Sequence, residues 1–307
     1  DTAENRVSPV VLPLPPSLNE EIWELVAEPD GRIWIGTYDN GVFLMADEGK
    51  IEEHIIPDKA NERSYTVRAI CRDKFGSYWM GTRGGVFVYK PGEGMNGNFF
   101  HDEREEKSLS GNSVLSVFHD AKGDTWIGTR LGISYLVHSK QVFRSYRAMP
   151  DDKKYLNSKE IYAFWRQNNG HIWIGTEDGG VNIFDPVKQD FEYLTHDPGD
   201  PSTLSSNCIK TFMEDGKGNV WIGTFRGGIS VVNLSNRKTV KYYRQNPGMS
   251  HSIADDRVWD LFRDSRNNIW AATSAGIELY HPETDGFMLL NIFPPGTQVN
   301  WIREDSQ

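Results

Sequence analysis

The chain has 307 residues, 38% of them hydrophobic and 25% charged, the composition of a globular protein large enough to bury a substantial core. Its net charge of −10 argues against a nucleic-acid partner, because phosphate binding draws on clustered Lys and Arg. No stretch approaches the roughly 18 apolar residues that a membrane span requires, and the two cysteines, Cys71 and Cys208, fall in different parts of the chain, which argues against a disulfide.

The first residues, Asp1-Thr2-Ala3-Glu4, carry neither an initiator Met nor an apolar signal core and read as the start of a mature or excised segment. Residues 8–14, with Val10-Val11-Leu12-Pro13-Leu14, have the pattern of an outer strand that would close a ring.

From residue 22 onward one phrase returns six times: Trp34-Ile35-Gly36-Thr37, Trp79-Met80-Gly81-Thr82, Trp126-Ile127-Gly128-Thr129, Trp173-Ile174-Gly175-Thr176, Trp221-Ile222-Gly223-Thr224 and Trp270-Ala271-Ala272-Thr273. The tryptophans are 45, 47, 47, 48 and 49 residues apart, a period that marks a repeat architecture. The repeats cover about 22–64, 65–111, 112–158, 159–206, 207–255 and 256–293.

Each repeat reads as four short strands. An inner strand such as Val114-Leu115-Ser116-Val117-Phe118-His119 ends in an Asp-x-x-Gly turn, as at Asp73 to Gly76, Asp120 to Gly123 and Asp215 to Gly218, with the residues a type I turn prefers. The Trp phrase forms the second strand. A Gly-rich reversal leads to a third strand such as Val181-Asn182-Ile183-Phe184-Asp185, and an aromatic fourth strand such as Phe191-Glu192-Tyr193-Leu194 follows. Four-stranded antiparallel units at this period predict an all-β fold, a β-propeller. One blade cannot bury both faces of its sheet, so the Trp is expected to anchor neighbouring blades. Burying roughly 200 Å² of indole at about 25 cal/mol per Å² gives an upper bound near 5 kcal/mol. The Gly two residues later is expected to admit a close neighbour.

Residues 294–307 include Val299-Asn300-Trp301-Ile302-Arg303-Glu304-Asp305, which aligns with a seventh inner strand. A seven-bladed ring with an incomplete last blade is expected; a six-bladed ring with an extra strand is the alternative.

No catalytic residue, metal site or cofactor is expected. The chain lacks His-Glu-x-x-His, Gly-x-Ser-x-Gly, a Walker loop and Cys-x-x-Cys. His54, His101 and His196 occupy places where other repeats carry Arg147 and Arg244, and the turn aspartates sit one per repeat, so both sets read as scaffold.

Function is expected where the copies disagree. In an up-and-down meander the reversal after the second strand and the entry to the first lie on the same face. Residues that differ there are Tyr38, Arg83, Arg130, Phe225 and Arg226 after the Thr, and Trp23, Arg68, Leu115, Tyr162, Lys210, Trp259 and Asn300 at the second position of the inner strand, with Arg257 just ahead of one strand. Trp23, Tyr38, Arg83, Arg130, Tyr162, Phe225, Arg226, Arg257 and Trp259 are the candidate ligand-binding residues. Aromatic faces stack on sugar rings and Arg forks hold carboxylate or sulfate, so an oligosaccharide, in its anionic form above all, is the expected ligand.

The run Ser108-Leu109-Ser110-Gly111-Asn112, then Asp120, Gly123, Trp126-Ile127-Gly128-Thr129 and Gly132-Ile133, resembles the two-component regulator propeller repeat, as does Thr203-Leu204-Ser205-Ser206-Asn207 through Gly227-Gly228-Ile229. The resemblance extends over about nine-tenths of the chain. It implies the periplasmic sensor part of a hybrid two-component system of Bacteroidetes that responds to polysaccharide breakdown products. It further implies an adjacent propeller, an immunoglobulin-like domain and a kinase as partners within the full protein, and a homodimer as one mode of assembly. The shared residues are structural, so no ligand-binding position is carried over. Two other readings stand beside a ligand-sensing module: a scaffold propeller for domain or dimer contacts, and a propeller polysaccharide lyase or hydrolase.

Overall fold

The computed structural model describes residues 21–46, 49–105, 107–137, 142–149 and 154–304. The outer strand expected at 8–14 lies outside them. Among the described residues the chain forms six four-stranded antiparallel sheets, each with its strands in sequence order. The blades run over 22–55, 67–99, 114–146, 161–194, 209–243 and 258–289. Their inner strands are Ile22–Ala27, Val67–Arg72, Val114–His119, Ile161–Arg166, Ile209–Glu214 and Val258–Arg263. Successive inner strands stand side by side, which makes the molecule a β-propeller.

The Asp-x-x-Gly turn and the Trp are one device. Asp73 Oδ1 accepts from the Phe75 and Ser77 backbone N–H groups at 2.8 and 2.9 Å, and its Oδ2 accepts from the Trp79 indole Nε1 at 3.0 Å. Asp120, Asp215 and Asp264 hold Trp126, Trp221 and Trp270 in the same way, and Gln167 holds Trp173. Blade 1 departs from the rule. Glu28 pairs with Arg72 of blade 2 at 3.0 Å, and the buried Trp34 indole lies against Tyr78, ring centroids 4.0 Å apart, with no bond to a turn side chain.

The oriented indoles pack into the following blade. Trp79 joins Val114, Ile127 and Leu136; Trp126 joins Ile161, Ile172 and Phe184; Trp221 joins Val258, Ile269 and Phe287. Trp270, in the last complete blade, is only partly buried. The glycine of the phrase admits the neighbour as expected: a Cβ at Gly81 would lie 2.7 Å from Val114 Cγ1, and one at Gly175 would lie 2.8 Å from Ile209 Cγ2. The phrase's Thr is fully buried in all six copies. Its hydroxyl donates to the glycine carbonyl that closes the reversal, at 2.9 Å from Thr82 to Gly85.

Residues 298–304 run between the inner strands of blades 6 and 1. Asn300 Nδ2 donates to the Ile22 carbonyl at 3.1 Å, and the Ile302 N–H donates to Asp260 Oδ2 at 3.1 Å. The expected seventh inner strand is not formed over 294–304. An inner strand takes its ladder from the second strand of its own blade. No such partner is among the described residues, and a side-chain carboxylate takes the Ile302 N–H instead.

Candidate ligand-binding site

All six inner strands contain a β-bulge at the same place. In blade 2, Val67 pairs with Thr82 and Ala69 with Gly81, so Arg68 has no partner across the ladder. The residue passed over in the other blades is Trp23, Leu115, Tyr162, Lys210 and Trp259. An extra residue bends the strand and re-aims its side chain. Here it turns two consecutive residues of each strand toward the axis. All six bulge residues line one cavity of about 680 Å³, the propeller's central channel. The residues that follow them, Glu24, Ala69, Ser116, Ala163, Thr211 and Asp260, line it as well.

The second part of the mouth is fixed by a backbone hydrogen bond repeated in every blade. The residue after the phrase's Thr donates to the carbonyl just ahead of the inner strand: Tyr38 to Glu21, Arg83 to Thr66, Arg130 to Ser113, Glu177 to Glu160, Phe225 to Cys208 and Ser274 to Arg257, at 2.9–3.2 Å. The two sets of differing residues therefore share one face, as the meander geometry requires.

The nine candidates have different fates. Trp23, Tyr162 and Trp259 line the channel. Tyr38 tilts against Trp23 with ring centroids 5.8 Å apart, and Phe225 against Trp259 at 5.4 Å. Arg226 covers Phe225 at 5.1 Å, and the Trp259 indole is held by Ser274 Oγ at 3.0 Å. Arg83, Arg130 and Arg226 are exposed. Arg130 makes a long ion pair with Glu160 at 3.4 Å. Arg257 is held by both carboxylate oxygens of Asp255, at 2.8 and 2.6 Å, so its fork is occupied.

Sequence reasoning named the second-position residues Arg68 and Lys210 but did not carry them into the candidate set. Lys210 Nζ lies 3.4 Å from the Tyr162 ring centroid and 3.0 Å from Glu177 Oε2. Arg68 is 9% exposed, with its guanidinium 5.0 Å from the Trp23 ring centroid. The signal was their alignment with Trp23 and Tyr162 at the bulge.

Deeper in the channel, small side chains leave space on four blades, and acids stand on the two blades that flank residues 298–304. Arg303 donates to Asp260 Oδ2 at 2.5 Å, and Thr211 donates to Asp260 Oδ1 at 3.1 Å. Burial pushes Asp260 upward, against the pull of Arg303 and the Ile302 N–H. Burial also raises the Glu24 carboxyl to about 8, with Arg303 offsetting part of the effect and Asp260 adding to it. Arg303 lies outside the repeats, and no pattern in them announces it.

The histidines are scaffold. His101 Nδ1 meets the Leu109 carbonyl at 2.5 Å and His196 Nδ1 the Leu204 carbonyl at 2.5 Å. Arg244 donates to the Ser205 carbonyl in the equivalent place at 2.9 Å. Asn112 and Asn207, from the motif that opens these repeats, accept from the His101 and His196 backbone N–H groups. Cys71 and Cys208 are both free thiols; burial raises the Cys71 thiol to about 12 and the Cys208 thiol to about 11.

The sequence profile described as "Two component regulator propeller" matches residues 61–84, 108–130, 203–226 and 252–275. No curated protein matches the chain significantly. Among solved structures, the chain is similar to the extracellular domain of the putative hybrid two component system BT3049 of B. thetaiotaomicron. The identity is 22% and the TM-score 0.59, over 88% of this chain and 41% of that one. It is also similar to PorZ of Porphyromonas gingivalis, an essential bacterial surface component of the type-IX secretion system (16%, TM-score 0.62, 84% and 38%). RRP9 WD40 repeats share the fold at 12% identity and a TM-score of 0.67, over 94% and 86% of the two chains. The chain thus spans about two-fifths of the two bacterial relatives. No helix among the described residues is long and apolar enough to cross a membrane. Four stretches of the chain thus match that repeat within a propeller of six described blades.

Proposed function

We propose that this chain is the ligand-sensing propeller of a hybrid two-component system, on the periplasmic side of the inner membrane. It binds a glycan-derived oligosaccharide at the channel mouth and has no catalysis of its own. The signal passes through a change in how the propeller docks on the neighbouring propeller and immunoglobulin-like domains of the full protein, or on a second copy.

The observation that carries this reading is the ring of bulges. The scaffold is nearly identical from blade to blade, whereas the residues that the bulges aim into the channel are Trp, Arg, Leu, Tyr, Lys and Trp. Three aromatic faces around a cavity of about 680 Å³ suit stacking on sugar rings. Deeper in the channel, the Asp260 carboxylate already has a structural partner in Arg303.

Calorimetric titration with a panel of neutral and acidic oligosaccharides tests the proposal. A member that binds, and whose affinity falls about tenfold or more in Trp259→Ala, supports it. Arg257→Ala serves as a control and leaves binding within twofold, because Asp255 already occupies that fork. Absence of heat for every member supports the scaffold reading, and release of new reducing or unsaturated ends supports an enzyme.

A further inference from the structure

Arg68 is the bulge residue of blade 2, and it is buried. Its Nη1 donates to Ser113 Oγ of blade 3 at 3.2 Å, while its Nε is buried with no partner among the described residues. No carboxylate stands within ion-pairing distance of it among the described residues. Lys210 and Arg303, which line the same channel, have Glu177 and Asp260. Trp23 lines the channel beside Arg68, and its indole Nε1 is likewise buried without a partner among the described residues.

Two donors left unsatisfied at one corner are costly. A buried polar group without a hydrogen bond costs about 1–3 kcal/mol and a buried charge more. The surroundings do not offset this. Arg83 and Arg130 are anchored by backbone bonds to the entries of blades 2 and 3, at the same mouth. Burial first, and then these two cations, lower Arg68 to about 10, so it keeps its charge at neutral pH. Among the described residues only Arg130 of these three has an acid in ion-pairing distance, Glu160, at 3.4 Å. The corner is therefore rich in donors and positive charge, and poor in acceptors.

We propose that this corner is an anion subsite: the Arg68 guanidinium, assisted by the Trp23 indole N–H and flanked by Arg83 and Arg130, holds a carboxylate or sulfate group of the ligand. An oxyanion has the lone pairs to take both free donors at once, and a planar guanidinium suits it in a fork geometry. In assigning the anion to a sugar, the inference rests on the oligosaccharide reading above; the subsite itself does not.

The test titrates the chain with a neutral disaccharide, its uronate and sulfated counterparts of the same linkage, and inorganic sulfate. Binding is read by calorimetry and by the NMR shift of the Trp23 indole N–H. The expected result is at least tenfold tighter binding of an acidic disaccharide than of the neutral one, competition by inorganic sulfate, and a shifted Trp23 resonance. The uronate and sulfated arms show which oxyanion is preferred. Arg68→Met abolishes the preference for acidic over neutral members, and Trp23→Phe reduces it several-fold. If Arg68→Met does not fold, Arg68→Lys, which keeps the charge and loses the fork, is expected to lose most of the preference.

Equal affinity for acidic and neutral members, or a preference that survives in a folded Arg68 variant, overturns the subsite while leaving an oligosaccharide ligand in place. Sulfate binding that is lost in Arg68→Met, with no oligosaccharide bound, supports the subsite and removes the glycan reading instead.

Discussion

Arg303 brings a guanidinium nitrogen to 2.5 Å from Asp260 Oδ2, so a residue outside the six repeats is tied to the inner strand of the last complete blade. The same cation acts on Glu24 of blade 1, across the place where the repeat array begins and ends. One positive charge faces two buried carboxyls. Asp260 has the direct contact and two further donors, and Glu24 is left with the raised proton affinity.

This arrangement predicts how stability depends on pH. The Glu24 carboxyl titrates near its ordinary value of 4.5 in the unfolded chain and at about 8 in the fold. Glu278, buried and also raised, titrates at about 7. Between those values the folded state holds more protons on these two groups than the unfolded one, so their contribution to stability is full below about pH 4.5 and is lost as pH rises toward 8. Thermal unfolding measured from pH 5 to 8 should show a melting temperature that drops by several degrees, and Glu24→Gln should flatten much of that slope. A melting temperature that is flat or rising over the same range contradicts the assignment.

Removing the cation alone should harm more than removing the pair. Arg303→Met leaves Asp260 buried without its ion partner, a change of about 3 kcal/mol or more in chemical denaturation. Asp260→Asn combined with Arg303→Met should recover a large part of that loss. An additive double variant would show that the two residues do not act together.

The turn acids predict a contrast between blades. Asp215→Ala removes the acceptor for the Lys217 and Asn219 backbone N–H groups and the Trp221 indole, and should cost about 1–3 kcal/mol. Trp221→Phe loses the indole hydrogen bond to its turn acid, whereas the Trp34 indole has no turn side chain to lose. Trp34→Phe should therefore be the milder of the two in urea unfolding.

Close approach between blades gives another contrast. At Gly175 a methyl group would sit 2.8 Å from Ile209 Cγ2 of the next blade, and overpacking of that kind costs roughly 1–3 kcal/mol. At Gly97 the nearest atom to such a methyl is Val88 Cβ at an ordinary 3.6 Å. Gly175→Ala should lower the melting temperature clearly, and Gly97→Ala should leave it nearly unchanged.

The sequence by itself determined the propeller and the structural standing of the Trp phrase, the turn acids and the histidines. These follow from contacts within a few residues, such as Asp73 to Trp79, or from chemistry repeated in each copy, and both are written along the chain. It also placed Tyr38, Arg83, Arg130 and Phe225 on the same face as the inner-strand entries, because an antiparallel meander leaves no other arrangement. Only the tertiary structure decided which side chains meet and which charges are free. Arg257 looked available, yet Asp255, two residues before it, closes its fork. Arg68 looked like one more member of an aligned column, yet the surrounding blades bury it and, among the described residues, give it no acid. Residues 299–304 matched an inner strand by pattern, yet a strand needs a ladder, and Asp260 takes the Ile302 N–H instead. The channel is assembled from single residues one repeat apart, so the charge balance there depends on six separate blades and on Arg303, and no local stretch of sequence contains it.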